Sequence, residues 1–109
     1  MLDNFFAKSC GPCVSEMPAL EQIHREFGDR VIFVGIDTQE KADAGRQIVA
    51  QTGVTYEVGS DPGGTFIVGF GGLGLPTTVL VAPDRTLADK HIGALTADQL
   101  RAMINKAFF

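Results

Sequence analysis

The chain has no tryptophan, a single tyrosine, two histidines and only two cysteines among its 109 residues. Each scarcity excludes a class. Two cysteines cannot build the disulfide framework that holds small secreted domains together. A structural zinc site normally takes four Cys or His ligands. Only His24 and His91 could join the cysteine pair, and they show no ligand spacing, so no metal is expected. There is no Lys/Arg cluster; 9 basic against 13 acidic residues leave a net charge of −4. Nucleic acid is therefore not an expected partner. No apolar run approaches the roughly 20 residues of a membrane span. Repeats, low-complexity stretches and an interdomain linker are also lacking, and the length suits one domain with one core; no signal peptide is visible in these residues, which says little about the compartment.

Against these absences, one motif stands out. Both cysteines lie in Cys10-Gly11-Pro12-Cys13, directly after the apolar run Phe5-Phe6-Ala7 and at the start of a helical pattern. Unpaired N–H groups and the positive end of the helix dipole favour a thiolate there. Such settings lower a cysteine pKa from about 8.5 to roughly 3.5–7.5, and the thiolate is the nucleophile of disulfide exchange. Cys13, one turn on, is placed to resolve a mixed disulfide formed by Cys10. Pro12 fits in a first turn, whose N–H groups need no helical partner. A bridge across so short a loop restricts the unfolded chain little, so a purely structural disulfide is the poorer reading.

Periodicity organises the rest. Leu2 to Ala7 reads as a strand. Val14, Met17, Leu20, Ile23 and Phe27 form one stripe of a helix over Cys10 to Phe27, continuing past Pro18. Val31 to Ile36 reads as a strand buried on both faces. Asp37 or Thr38 is the expected cap of a helix over Glu40 to Gln51, ended by Gly53. Thr55 to Val58 reads as a short edge strand and Ser60 to Gly64 as a turn. Thr65 to Phe70 has strand propensity, with Phe66 and Phe70 expected in the core. Gly71 to Gly74 reads as a loop, Thr77 to Ala82 and Leu87 to Ile92 as a hairpin about Pro83-Asp84-Arg85. Thr96 and Gln99 have capping-box spacing before a last helix with Leu100, Met103, Ile104, Ala107 and Phe108 inward. The order argues an α/β fold, a mixed sheet with helices on both faces. Gly69 to Gly74 matches G-x-G-x-x-G formally, but a proline and a strand follow where a helix is required. His24 and His91 read as surface residues, and Lys41, Asp43 and Arg46 as a solvated helix face.

A CxxC beside a βαβ pattern resembles the thioredoxin superfamily. More narrowly, the chain resembles the TlpA/ResA/DsbE-like thiol-disulfide oxidoreductases. Asn4-Phe5-Phe6-Ala7, the Cys10–Cys13 motif and Glu16-Met17-Pro18 are similar to that branch's N-F-W-A-x-W-C-x-x-C-x-x-E-x-P pattern. Gly74-Leu75-Pro76-Thr77-Thr78 is similar to its G-x-P-T-T loop, and Pro83-Asp84-Arg85 with His91-Ile92-Gly93 follows its later turn, strand and glycine. Ser9 departs from the pattern where a tryptophan usually precedes the first cysteine, as does Phe6. The resemblance implies a thioredoxin-like fold, and the chain starts so close to its first strand that a truncated N-terminus, with a further segment and a possible membrane tether upstream, is expected.

For the site, the resemblance implies Cys10 and Cys13 as the redox pair and Glu16, on the helical face of Cys13, as the group that moves its proton. It favours a short helix over Thr65 to Phe70. It implies a cis Leu75–Pro76 bond facing Cys10, with Gly11, Pro12, Leu75 and Pro76 against the substrate and the Leu75 backbone free to pair with an extended peptide. No dissociable cofactor is implied, since the dithiol carries two electrons. The expected partners are protein thiols or disulfides and a redox partner protein, the expected compartment is extracytoplasmic, and the expected state is monomeric. Roles of the cytochrome c maturation or oxidative folding type follow from the same resemblance. Two other readings stand beside it. A general cytosolic thioredoxin-like reductase is weighed against by Glu16-Met17-Pro18 and by Asn4, which replaces a titratable aspartate. A redox-inactive binding module on the same fold is weighed against by the presence of both cysteines.

Overall fold

The computed structural model describes residues 1–71 and 74–109. The element order is β1 (Leu2–Phe6), α1 (Gly11–Phe27), β2 (Phe33–Thr38), α2 (Ala42–Thr52), β3 (Glu57–Asp61), α3 (Thr65–Gly69), β4 (Thr77–Val81), β5 (Leu87–Ile92) and α4 (Ala97–Phe108). The five strands form one sheet in the order β3-β2-β1-β4-β5. β1, β2 and β3 run parallel, joined by α1 and α2, while β4 is antiparallel to β1 and β5 to β4. The central strand β1 is buried along its whole length.

Alternation along the strands sorts the core into two layers. Leu2, Phe6, Phe33 and Leu80 face a cluster with Met17, Leu20 and Ile23 of α1, Ile48 of α2 and Leu100 and Ile104 of α4. Phe5, Ile36 and Val79 face the opposite side and meet Ile67 of α3. Helices therefore cover both faces, three on one and the short α3 on the other. α1 runs unbroken through Pro18. The Thr96–Gln99 capping box forms as expected, with Gln99 N–H donating to Thr96 Oγ1 at 3.1 Å.

Several elements differ from expectation. β2 begins two residues late because Val31 belongs to the turn closing α1, its N–H donating to the Phe27 carbonyl at 2.8 Å. It also runs on to Thr38, because Asp37 pairs with Phe6 and Thr38 with Asp61. Asp37 and Thr38 therefore cap nothing; Lys41 takes the N-cap position of α2 without a side-chain bond. β3 lies at Glu57–Asp61 rather than Thr55–Val58, absorbing Ser60 and Asp61 of the expected turn. The Asp61 carboxylate then accepts the Phe66 and Ile67 N–H groups and serves the start of α3. Thr65–Gly69 is helical, and that period turns Ile67 inward and leaves Phe66 half exposed. His24 is no plain surface residue; its ring packs 5.2 Å from Phe33 and edge-on to Tyr56. Within the glycine loop, Gly72 and Leu73 lie outside the described residues.

Candidate active site

β1 ends at Phe6, and a tight turn, closed by the Cys10 N–H on the Ala7 carbonyl at 3.1 Å, delivers the chain to the start of α1. Cys10 is the N-cap, with extended backbone, and its Sγ accepts the Cys13 N–H at 3.2 Å. Sulfur occupies the place an N-cap oxygen usually takes, so any negative charge on Cys10 meets a donor and the helix dipole. The two sulfurs are joined as a disulfide. Cys10 is half-buried, whereas Cys13 has no exposed surface. The attackable sulfur is thus the outer one. Gly11 and Pro12 form the exposed first turn between them, and Ser9 is exposed beside Cys10.

Glu16 follows Cys13 on the buried side of α1 and is 3% exposed. Its Oε1 accepts Asn4 Nδ2 at 3.0 Å and its Oε2 accepts the Leu95 N–H, from the segment before α4, at 2.7 Å. Asn4 Nδ2 also donates to Thr78 Oγ1 at 3.3 Å, while Asn4 Oδ1 is buried without a donor. Burial pushes the Glu16 pKa up, and the two hydrogen bonds only partly oppose it. A carboxyl so placed takes up a proton more readily than a surface glutamate does.

The Leu75–Pro76 peptide is cis. Pro76 is buried and its carbonyl accepts the Gly93 N–H at 2.8 Å. Leu75 is half-buried and, with Gly74, walls the same cleft as Cys10. That cleft, about 630 Å³, also takes in Ser9, Gln39, Glu40 and Val68. Of the expected site residues, Cys10, Cys13 and Glu16 gather at the start of α1, and Leu75 joins them across more than sixty residues of chain. Sequence reasoning missed Gln39 and Glu40 in the cleft wall, because nothing local marks the β2–α2 connection as adjacent to the cysteines. Among the described residues, no three His, Cys, Asp or Glu side chains are grouped to hold a metal, and no helix is long and apolar enough to cross a membrane.

The AhpC/TSA family model matches residues 2–90. The chain belongs to the AhpC/TSA family. Within this family of thioredoxin-like proteins, it is 30% identical over 104 residues to the thiol-disulfide oxidoreductase ResA of Bacillus thuringiensis, covering 94% of this chain and 60% of that protein. It is 31% identical over 101 residues to the thiol:disulfide interchange protein CycY of Rhizobium leguminosarum, covering 92% of this chain and 53% of that protein. The chain therefore spans little more than half the length of these relatives. Its fold superposes with a TM-score of 0.88 on a putative thiol:disulfide interchange protein DsbE from Chlorobium tepidum, at 26% identity over 97% of this chain and 77% of that one. The disulfide of this AhpC/TSA member lies at the start of its first helix, at the end of a parallel-strand layer, where the fold gathers loops from both halves of the sheet.

Proposed function

We propose that the chain is a thiol-disulfide oxidoreductase acting on protein thiols and disulfides through Cys10 and Cys13. The observation that carries this reading is the asymmetry of the pair. One sulfur is accessible at a helix N-cap and accepts a backbone N–H; the other is sealed behind it, one turn from a buried carboxyl. In the oxidised form a substrate thiolate attacks Cys10 Sγ. The Cys10–Cys13 bond breaks, a mixed disulfide forms, and Cys13 leaves as a thiolate that takes a proton, with Glu16 as the group handling it. A second substrate thiolate then displaces Cys10, leaving substrate disulfide and enzyme dithiol. The reverse sequence reduces a substrate disulfide, beginning with the Cys10 thiolate.

Leu75, in the wall beside Cys10, is the proposed strand-pairing edge for an extended substrate, with Pro76 fixing the loop and Gly11 and Pro12 forming the opposite lip. The dithiol itself carries the two electrons, so the reaction as proposed uses no dissociable cofactor. An extracytoplasmic location, a membrane tether and a redox partner protein are supported by the resemblance to the TlpA/ResA/DsbE-like branch. Insulin reduction with dithiothreitol as electron source tests the activity. The wild-type chain should accelerate it, and Cys10→Ser should not. Equal acceleration by both would refute the reading.

A further inference from the structure

The cleft over Cys10 carries its charge at one place. Ala7, Ile67, Val68 and Leu75 give it apolar walls, Ser9 and Gln39 are polar without charge, and Glu40 is the one charged side chain among the described residues that line it. Geometry fixes Glu40 there. Gln39, directly after β2, has a left-handed backbone, φ 64°, and its N–H donates to the Asp61 carbonyl at 2.8 Å. A residue other than glycine keeps such a conformation only where its surroundings hold it. The bend turns the next residue back toward the cysteine turn, and Glu40 accepts the Lys8 N–H on both oxygens, at 2.8 and 3.1 Å. Half-buried and doubly bonded, its carboxylate keeps a set position in the cleft wall.

The nearby cations are engaged elsewhere. Lys8 directs its Nζ to Gln47 of α2, and Lys41 is exposed at the N-cap of α2. Among the described residues, the ion pairs of Arg25, Arg30, Arg46 and Arg101 all go to other acids. Glu40 therefore presents an uncompensated negative charge to whatever approaches Cys10.

Resting on the oxidoreductase reading, we propose that Glu40 is a specificity-determining residue, which makes the cleft select substrates whose reactive cysteine is flanked by lysine or arginine and disfavour those flanked by acids. A charge in a concave, partly apolar wall acts more strongly than the same charge on an open surface. Such a charge at the edge of a contact mainly changes the rate of encounter and its salt dependence. In the exchange, the substrate cation lies beside Glu40 while the substrate sulfur bonds Cys10 Sγ. No proton or electron passes through Glu40; it biases which substrate arrives and leaves the redox step to the cysteines.

The test reads Cys10 directly. In the reduced full chain carrying Cys13→Ser, Cys10 is the one thiol. Three methanethiosulfonates probe it: a trimethylammonioethyl, a sulfonatoethyl and a neutral methyl reagent. Each transfers its thioalkyl group to the Cys10 thiolate and releases methanesulfinate. The ratio of cationic to anionic rates is independent of the thiolate fraction, because both reagents meet the same thiolate, and the neutral reagent reports any displacement of the turn. Glu40→Gln keeps an oxygen for the Lys8 N–H. It should lower that ratio about fivefold at low salt and much less at about 1 M salt. Glu40→Asp should return the ratio toward that of the parent. Glu57→Gln removes the same charge at the far end of β3, where Glu57 pairs with Val34 while Asp61 pairs with Thr38 in the cleft wall, and should leave the ratio unchanged. Relative to their rates with dithiothreitol alone, the wild type should reduce a lysine-flanked peptide disulfide faster than a glutamate-flanked one. A reagent ratio unmoved by Glu40→Gln, one moved equally by Glu57→Gln, or equal rates for the two peptides would overturn the proposal. Failure of the wild type to reduce insulin or either peptide, with the reagent ratios as expected, would instead refute the oxidoreductase reading.

Discussion

Glu16→Gln changes one atom of the buried cluster, and the consequence depends on pH in a way the structure dictates. The carboxylate accepts from both Asn4 Nδ2 and the Leu95 N–H. An amide offers one acceptor. The Leu95 N–H is backbone and cannot turn, so the single carbonyl oxygen of the new amide must serve it, and the amide nitrogen then faces Asn4. Asn4 can answer by flipping its own amide to present Oδ1, which at present has no donor. The orphan then passes from Asn4 Oδ1 to Asn4 Nδ2. The net loss is the difference between charge-assisted and neutral hydrogen bonds, about 1–2 kcal/mol. Set against it is the relief of an ionised group held in low dielectric, present only when the wild-type Glu16 is charged.

The sign follows from linkage. An acid whose pKa is raised in the folded state contributes stability that is full below its ordinary value, here 4.5, and is lost as pH rises through the folded value. Glutamine has no such contribution. Glu16→Gln should therefore cost more stability near pH 4.5 than at pH 8, where the charged wild type gains about 1–2 kcal/mol from its charge-assisted bonds but also bears its own desolvation. Urea melts of both oxidised proteins at pH 4.5, 6 and 8 measure this. Every other titrating group is common to the two chains and cancels in the difference. A deficit that is constant with pH, or that grows toward pH 8, would refute the account of Glu16 as a desolvated acid.

Three further outcomes are expected. Iodoacetamide should label Cys10 well before Cys13 in the reduced protein, and Cys13→Ser should accumulate mixed disulfides on non-reducing gels where Cys10→Ser does not; equal trapping would invert or dissolve the assigned roles. Burial alone would raise Glu21, but the Thr55 N–H, the Thr55 hydroxyl, Arg25 and His24 outweigh it and hold its pKa at about 2. That stability is present above pH 4.5 and is lost as pH falls through about 2, so Glu21→Gln should cost about 1–2 kcal/mol at pH 7 after solvent screening and little at pH 2, read by urea melts. Gly45→Ala should destabilise by about 1–3 kcal/mol despite the better helix propensity of alanine, because the new methyl would overlap Asp37 Oδ2; unchanged thermal stability would mean α2 shifts freely away from β2.

The parts of the fold legible in the sequence are those written in a single period. The stripe of Met17, Leu20, Ile23 and Phe27 and the capping box at Thr96 and Gln99 each need only a few neighbouring residues, and each appears where expected. Boundaries set by strand pairing were not legible. β2 stops at Thr38 because Asp61, twenty-three residues later, is its partner in register. The same pairing moves β3 past Val58 and turns Asp61 from a turn residue into the acceptor for the first N–H groups of α3. Phe66 and Phe70 are four apart and read as an inward pair; Phe70 does pack against the Phe5 cluster, but the short helix turns Ile67 inward and leaves Phe66 half exposed. The cysteine motif was readable because its chemistry is local. Its setting was not, since Leu95 reaches Glu16 across 79 positions and Glu40 reaches Lys8 across 32.

Asp37 shows how a correct local rule gives a wrong assignment and how the error is informative. An aspartate just before a predicted helix is a good cap, because its carboxylate can accept free N–H groups in the first turn. That requires the backbone to leave the strand at Asp37. Pairing with Phe6 on one side and Ser60 on the other keeps it in the sheet instead. In a strand the side chains alternate, so Asp37 must point to the same face as Phe33, which is the buried face covered by α2. A carboxyl driven there by register has lost the donors a cap would have provided. It needs a glycine above it, which Gly45 supplies, and burial there pushes its pKa up to about 7, so that it holds a proton far more readily than a capping aspartate would.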